Sequence, residues 1–218
     1  MSGITVSSLG YSIRGHQILH NVNLACHSGT VTALRGRSGC GKTTLLDLLG
    51  MLLIPTTGSI GVNGMATEHW KDGQRCRFWH DHAAFVFQDY GMIPHENVLY
   101  NITLNRREAR HAAKHLPRKM AAILSYLRLE DRYLEPIDAL SGGERQRVSV
   151  ARALWKDADY VFADEPTASL DAENKRIVTN LLFDLAAKGV CVVIATHDDD
   201  LVAKSHQSID VERFSPTR

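Results

Sequence analysis

The stretch from Val31 to Leu53 constrains the fold more than any other part of the chain. An apolar run, VTAL, leads into GRSGCGKT at Gly36 to Thr43, and the leucine-rich segment Lys42 to Leu53 follows until Pro55. The spacing GxxxxGK[ST] makes a ring of backbone N–H groups for phosphates, with the lysine on the β/γ oxygens and the hydroxyl on Mg2+. A turn-forming glycine cluster alone would leave Lys42 and Thr43 unexplained. Strand, phosphate loop and helix in that order predict an α/β sheet of parallel strands. Cys40 fits the loop as a small residue, and a thiol there would make the site thiol-sensitive.

Other segments extend this pattern. Ala84 to Phe87, Tyr160 to Ala163 and Val190 to Ala195 are short apolar runs, as expected of parallel strands covered on both sides. With VTAL they give four core strands, each ending on a chemically loaded residue: the loop at Gly36, Gln88, Asp164-Glu165 and His197. Ligands of open α/β sheets bind outside the carboxyl ends of the strands, so these groups are expected along one edge. Earlier, the short pieces Ile4-Val6, Tyr11-Ile13, Ile18-Leu19 and Val22-Leu24, punctuated by glycine and asparagine, predict a small antiparallel sheet. Asn97 to Glu135 reads as mainly helical, split at Pro117, with Met120, Ile123, Leu124 and Leu127 as an apolar stripe. Val148, Ala151 and Trp155 give one buried face to a further helix. Residues 65–83 carry no assignable pattern.

A second phosphate-seeking stretch lies at Leu140 to Arg147, LSGGERQR. Its Gly-Gly turn opens a helix whose first N–H groups and dipole favour an anion, yet it carries no cation in the loop manner of Lys42. It is half of a site, and two half-sites per chain suggest two chains sharing two nucleotides. Asp164 and Glu165 are neighbours at a strand end and point to opposite sides. Asp164 is therefore expected on the metal side, through water, and Glu165 as the general base for an attacking water. His197 at the same edge would reach the γ-phosphate and orient that water. Gln88 would join the Mg2+ and water shell. Tyr11 is placed to stack on a base, with core packing as the competing explanation. His80, His82, His111 and His115 lack a completing Cys or carboxylate cluster, so no metal beyond Mg2+ is assigned.

Bulk properties narrow the class. The chain has 218 residues, 44% hydrophobic and 22% charged, which suits one large soluble domain. A net charge of +1 gives no electrostatic reason to expect nucleic acid as a partner. The basic cluster Arg106 to Arg110 is expected on a solvated helix face. Four cysteines without a CxxC pair point to a reducing cytoplasm, with Cys191 as a buried small hydrophobe. No secretory signal is apparent at the start, and no run approaches the ~18 apolar residues of a membrane helix. Any membrane span would come from another chain.

Taken together, these residues make the chain similar to ABC-type ATPase subunits over nearly its whole length. GRSGCGKTT resembles the Walker A loop, YVFADE the Walker B strand, LSGGERQR the signature, Gln88 the Q-loop, Ala168 to Asp171 (ASLD) the D-loop and His197 the switch histidine. The signature discriminates, because many unrelated NTPases share the Walker pair. The resemblance implies a P-loop NTPase (RecA-like) core with an antiparallel β subdomain and a helical signature subdomain. Approximate boundaries are 1–30 and 56–64 for the β subdomain, 31–55, 84–96 and 155–218 for the core, and 97–154 for the helical part. It further implies ATP and Mg2+ held by Gly36, Ser38, Gly39, Cys40, Gly41, Lys42, Thr43 and Thr44, with Tyr11 on adenine. Ser141, Gly142 and Gly143 would come from the second chain of a head-to-tail homodimer, and Asp171 of the D-loop would also belong to the nucleotide site. Segments such as FVFQDYGMIPHENVLYNI resemble ATPases of bacterial exporters for lipoproteins, macrolides, bacteriocins or antimicrobial peptides, the short MIPHENV version being most like bacteriocin-export members. The expected partner is a separate transmembrane permease, contacted by Tyr90, Met92, Ile93 and Pro94, and the expected location is the cytoplasmic face of the inner or plasma membrane. A non-transport ABC ATPase of the cell-division type is the alternative.

Overall fold

The computed structural model describes residues 2–168 and 170–216. In chain order the strands and helices are β1 (Gly3–Ile13), β2 (His16–His27), β3 (Val31–Arg35), α1 (Lys42–Leu49), β4 (Thr57–Val62), β5 (Met65–Ala66), α2 (Asp72–Asp81) and β6 (Ala83–Val86). There follow α3 (Val98–Thr103), α4 (Arg106–Lys114), α5 (Arg118–Tyr126), α6 (Gly142–Lys156), β7 (Tyr160–Asp164), α7 (Ala172–Ala187), β8 (Cys191–Ala195), α8 (Asp199–Lys204) and β9 (Gln207–Asp210). Short 3-10 turns occupy Ile137–Ala139 and Val211–Phe214.

Five strands form a parallel sheet in the order β6-β7-β8-β3-β9. Its central strands are buried on both faces, and the period of two sends alternate residues to different cores. Val161, Ala163, Val192 and Ile194 pack into a cluster with α5, α6 and α7. Tyr160, Phe162, Cys191, Val193 and Ala195 pack into the other, with α1 and the second sheet. That second sheet is antiparallel, in the order β2-β1-β4-β5. Arg14 and Gly15 turn β1 into β2 with φ of 50° and 81°, the left-handed pair that a two-residue hairpin needs.

Several expectations are corrected here. The four short N-terminal pieces are two long strands whose register shifts between Val6 and Leu9 and between Leu9 and Tyr11, which breaks their alternation. Helix α1 ends at Leu49 rather than at Pro55. A Cβ on Gly50 would lie 2.6 Å from the Phe85 ring, and the Trp79 indole donates to the Gly50 carbonyl at 2.9 Å, so the chain turns off there. Residues 65–83 hold β5 and α2, anchored by Phe78, which is 3% exposed and stacks near Trp70 and Tyr160. Helix stops at Tyr126, not near Glu135. Helix α6 is buried on more than the one face that Val148, Ala151 and Trp155 suggested. A fifth parallel strand, β9, lies beyond the four expected. The Met120, Ile123, Leu124 and Leu127 stripe is buried as the spacing predicts.

Candidate functional site

Strands β3, β7 and β8 end side by side, and most of the expected groups gather there. After Arg35 the backbone passes Gly36, Gly39 and Gly41 at φ of 145°, 79° and 98°, so three glycines carry a curve that side chains resist. Gly41 is also pressed against β2: a Cβ there would lie 3.2 Å from Leu19. It starts α1 without a side-chain cap, so the first N–H groups of that helix face the loop's concavity. Lys42 is buried and spans the loop, its Nζ donating to the carbonyls of Gly36 at 2.8 Å and Arg37 at 3.1 Å. Ser38 and Gly39 are exposed, while Cys40, Gly41 and Thr44 are half-buried.

Beside the loop, Thr43 Oγ1 donates to Asp164 Oδ2 at 3.0 Å. Burial holds the Asp164 carboxyl above the ordinary range; the Thr43 bond lowers it again and Glu165 adds repulsion. Asp47, one turn beyond Thr43 on α1, is pushed up as well, first by burial and then by Asp164. Two crowded carboxyls next to a hydroxyl form a hard-oxygen donor set that suits Mg2+. Asp47 was missed in the sequence, although its i+4 spacing from Thr43 puts it on the same helix face.

Glu165 sits at φ 45°, its N–H donating to the Ala195 carbonyl at 2.8 Å. This left-handed step turns its carboxylate away from Asp164 toward β8. There Oε1 meets His197 Nδ1 at 2.8 Å, and Oε2 accepts from Thr196 Oγ1 at 3.2 Å and His197 N–H at 3.4 Å. The Glu165 side chain is 13% exposed and that of His197 71%. Gln88 is exposed just past β6, which two strands separate from β3. Tyr11 is half-buried opposite Leu19 and packs on the same apolar cluster as Ile18 and Cys40.

The signature residues form a separate cluster. Ser141 caps α6: its Oγ accepts from the Glu144 N–H at 3.3 Å, and Glu144 Oε2 accepts from the Ser141 N–H at 2.7 Å. Both glycines admit close neighbours, since a Cβ on Gly142 would lie 2.8 Å from the Tyr90 hydroxyl and one on Gly143 2.5 Å from Asn174. Asn174 is bound in turn by Asp171, which caps α7, and by Arg147. Ser169, inside the expected D-loop, lies outside the described residues. Among the described residues no hydrogen bond joins this cluster to the Lys42 loop. Sequence reasoning also missed Arg152 and Asn101, which pin the segment after Gln88. Arg152 Nε donates to the Asn101 carbonyl at 2.7 Å and Nη1 to the Tyr90 carbonyl at 3.4 Å, and Asn101 Oδ1 accepts from the Ile93 N–H at 2.8 Å. Burial lowers the Arg152 guanidinium to about 10. A polar side chain at a fixed place in an otherwise apolar helix was the available signal.

Comparison with known proteins supplies the context for this geometry. The ABC transporter family matches residues 19–168. The chain is 36% identical over 194 residues to the macrolide export ATP-binding/permease protein MacB of Burkholderia pseudomallei, covering 89% of this chain but 30% of that protein. The chain thus spans under a third of such relatives. It is 37% identical to the lipoprotein-releasing system ATP-binding protein LolD of Bacteroides fragilis, covering 88% of this chain and 90% of that one. Among solved structures, the dimeric post-hydrolysis state of the ATP-binding cassette MJ0796 with ADP and Pi superposes at a TM-score of 0.80, with 27% identity over 96% of this chain and 95% of that one.

Proposed function

The chain belongs to the ABC transporter family, and from that premise we propose that it is the ATP-hydrolysing cassette of an exporter, working as a head-to-tail homodimer on a separate membrane permease. The observation that carries this reading is the division of phosphate-binding features into two clusters that no hydrogen bond joins among the described residues, one around Lys42 and one at the start of α6, Ser141 to Gly143. A second chain completes each site.

In that site the loop from Gly36 to Thr44 and Lys42 neutralise the phosphate oxygens of ATP, and Tyr11 stacks on adenine. Thr43, Asp164 and Gln88 would hold Mg2+, which would screen charge on the phosphate oxygens. Glu165 takes the proton of the attacking water, and His197, bonded to its carboxylate, fixes the direction from which it does so. Asp171 orders Asn174 against Gly143 at the edge that the second chain presents.

No helix among the described residues is long and apolar enough to cross a membrane. In this reading a permease supplies the span and holds the cassette at the cytoplasmic face. A cleft of about 320 Å³ lined by Phe87, Ile102, Leu104, Arg152 and Trp155, beside the segment Tyr90 to Pro94, is the surface proposed to receive it. Peptides, lipoproteins or drugs are the cargo classes this group handles. We take the lobes to be those drawn from the sequence, with α3 to α6 forming the helical part.

Glu165→Gln tests the reading. ATP should still bind, hydrolysis should fall ~10²–10⁴-fold, and an ATP-dependent dimer should accumulate in analytical ultracentrifugation. Turnover at the unmodified rate would remove Glu165 as the base. A protein that stays monomeric with ATP would count against the shared site.

A further inference from the structure

Strands β3 and β9 run parallel, Arg35 opposite Asp210, and the segment that leaves β9 folds back over the loop that leaves β3. Asp210 Oδ1 accepts from the Glu212 N–H at 3.2 Å, which tightens the turn, while Val211 is fully buried and Phe214 packs on the adjoining core. This anchored turn presents two side chains to the phosphate loop. Glu212 Oε1 accepts from the backbone N–H of Arg37 at 2.8 Å. Ser215 Oγ donates to the Cys40 carbonyl at 2.6 Å. The arm of Glu212 lies flat on Gly36, where a Cβ would come within 3.2 Å of its Cγ.

We propose that Glu212 and Ser215 are positioning residues for the phosphate loop, holding its two shoulders at Arg37 and Cys40 so that its amides are aimed before nucleotide arrives. This rests on the nucleotide-binding reading above and adds to it a strap that the Walker motif does not contain. Ordering the loop in advance removes part of the entropy cost that binding would otherwise carry.

The Arg37 guanidinium has a different task. It meets both Glu212 oxygens at 3.1–3.2 Å, but its side chain is 88% exposed, so the ion pair adds little rigidity. What it does is neutralise a carboxylate that stands next to a phosphate site. The Glu212 carboxyl is accordingly held below its ordinary range, first by the Arg37 side chain, then by its backbone N–H, with Lys42 contributing. The strap and the charge pair therefore separate by substitution. Glu212→Gln keeps an acceptor for the Arg37 N–H and removes the charge. Glu212→Ala removes both. Arg37→Ala keeps the backbone bond and leaves the carboxylate unbalanced.

Fluorescent-ATP titration and steady-state kinetics on the purified chain read the difference. Glu212→Ala is expected to raise Kd and KM about tenfold with kcat little changed, as loss of one net hydrogen bond that orders the loop would do. Glu212→Gln should bind like the unmodified protein. Arg37→Ala should weaken binding at low salt, with recovery at high salt or when combined with Glu212→Gln. Unchanged affinity in Glu212→Ala, equal damage from Gln and Ala, or a fall in kcat at constant KM would overturn the proposal. So would a lowered melting temperature with unaltered Kd, which marks a merely structural role. If Glu212→Ala fails to fold, Ser215→Ala carries the test: a raised Kd supports the strap and an unchanged one overturns it. Lys42→Ala distinguishes the levels. If it binds ATP normally, the nucleotide reading itself fails. If it loses ATP while Glu212→Ala does not, only the strap fails.

Discussion

Asp164 shows how a single residue can serve the site at the expense of the fold. Its carboxyl is half-buried beside Glu165 and close enough to Asp47 of α1 to repel it, and its pKa is raised, chiefly by burial. An acid whose folded pKa lies above its unfolded value stabilises the fold fully below the unfolded pKa, and that contribution is lost as pH rises through the folded one. At neutral pH the ionised Asp164 therefore opposes folding of the nucleotide-free protein. Asp164→Asn should raise the melting temperature at neutral pH by a few degrees at most, since the site is partly open to solvent. The gain should hold above the folded pKa and shrink as pH falls through it toward the unfolded value, below which the unmodified side chain is neutral in both states. Melting curves across that range check both sign and trend, with hydrolysis expected to be lost in the same variant. A lower melting temperature for the Asn variant at neutral pH would mean that the Thr43 bond outweighs burial and repulsion.

At the level of elements, α6 joins the signature to the core. Its first turn depends on the reciprocal bonds between Ser141 and Glu144, and Ser141→Ala should cost about 1 kcal/mol of stability. The urea midpoint should fall with an unchanged m value; an unmoved midpoint would mean another group takes over the cap. The Ser-x-x-Glu spacing of this cap was available in the sequence and went unread. The glycine-rich turn was legible because it is dictated locally, by sterics and by the helix's own unpaired N–H groups. The same holds for β3, the phosphate loop and the start of α1. What lay beyond sequence reasoning depends on distant neighbours. Strand β9, QSID, has no apolar run and owes its place to pairing with β3. Helix α2 has a weak apolar pattern and is fixed by Phe78 and Trp79 reaching other elements. Along α6, Gln146 and Ser149 are buried with side-chain atoms that find no partner among the described residues. An amphipathic period would have put such residues outside. The strap from Glu212 to Arg37 and from Ser215 to Cys40 was equally hidden, because it joins residues far apart in the chain.

For the whole molecule, the decisive question is whether one chain can complete a site. Lys42 stands at the end of the parallel sheet, whereas Ser141 to Gly143 stand at the start of α6 with Tyr90 and Asn174 as their close neighbours. If each site takes its loop from one chain and its signature from another, damage to the two halves should complement in trans. Lys42→Ala alone leaves every dimer without a working loop. Ser141→Arg alone leaves every dimer with a blocked signature, although each chain still binds nucleotide. Mixed together, a heterodimer regains one intact site, with Lys42 from the Ser141→Arg chain and Ser141 from the Lys42→Ala chain. Two-fold pairing also gives that heterodimer one site in which both halves are damaged. In a Glu165→Gln background that stops turnover, sedimentation with ATP should therefore find monomers for each variant alone and a dimer only in the mixture, carrying one bound nucleotide at the intact site. Dimers from Ser141→Arg alone, or none from the mixture, would mean that the two clusters are not halves of a shared site.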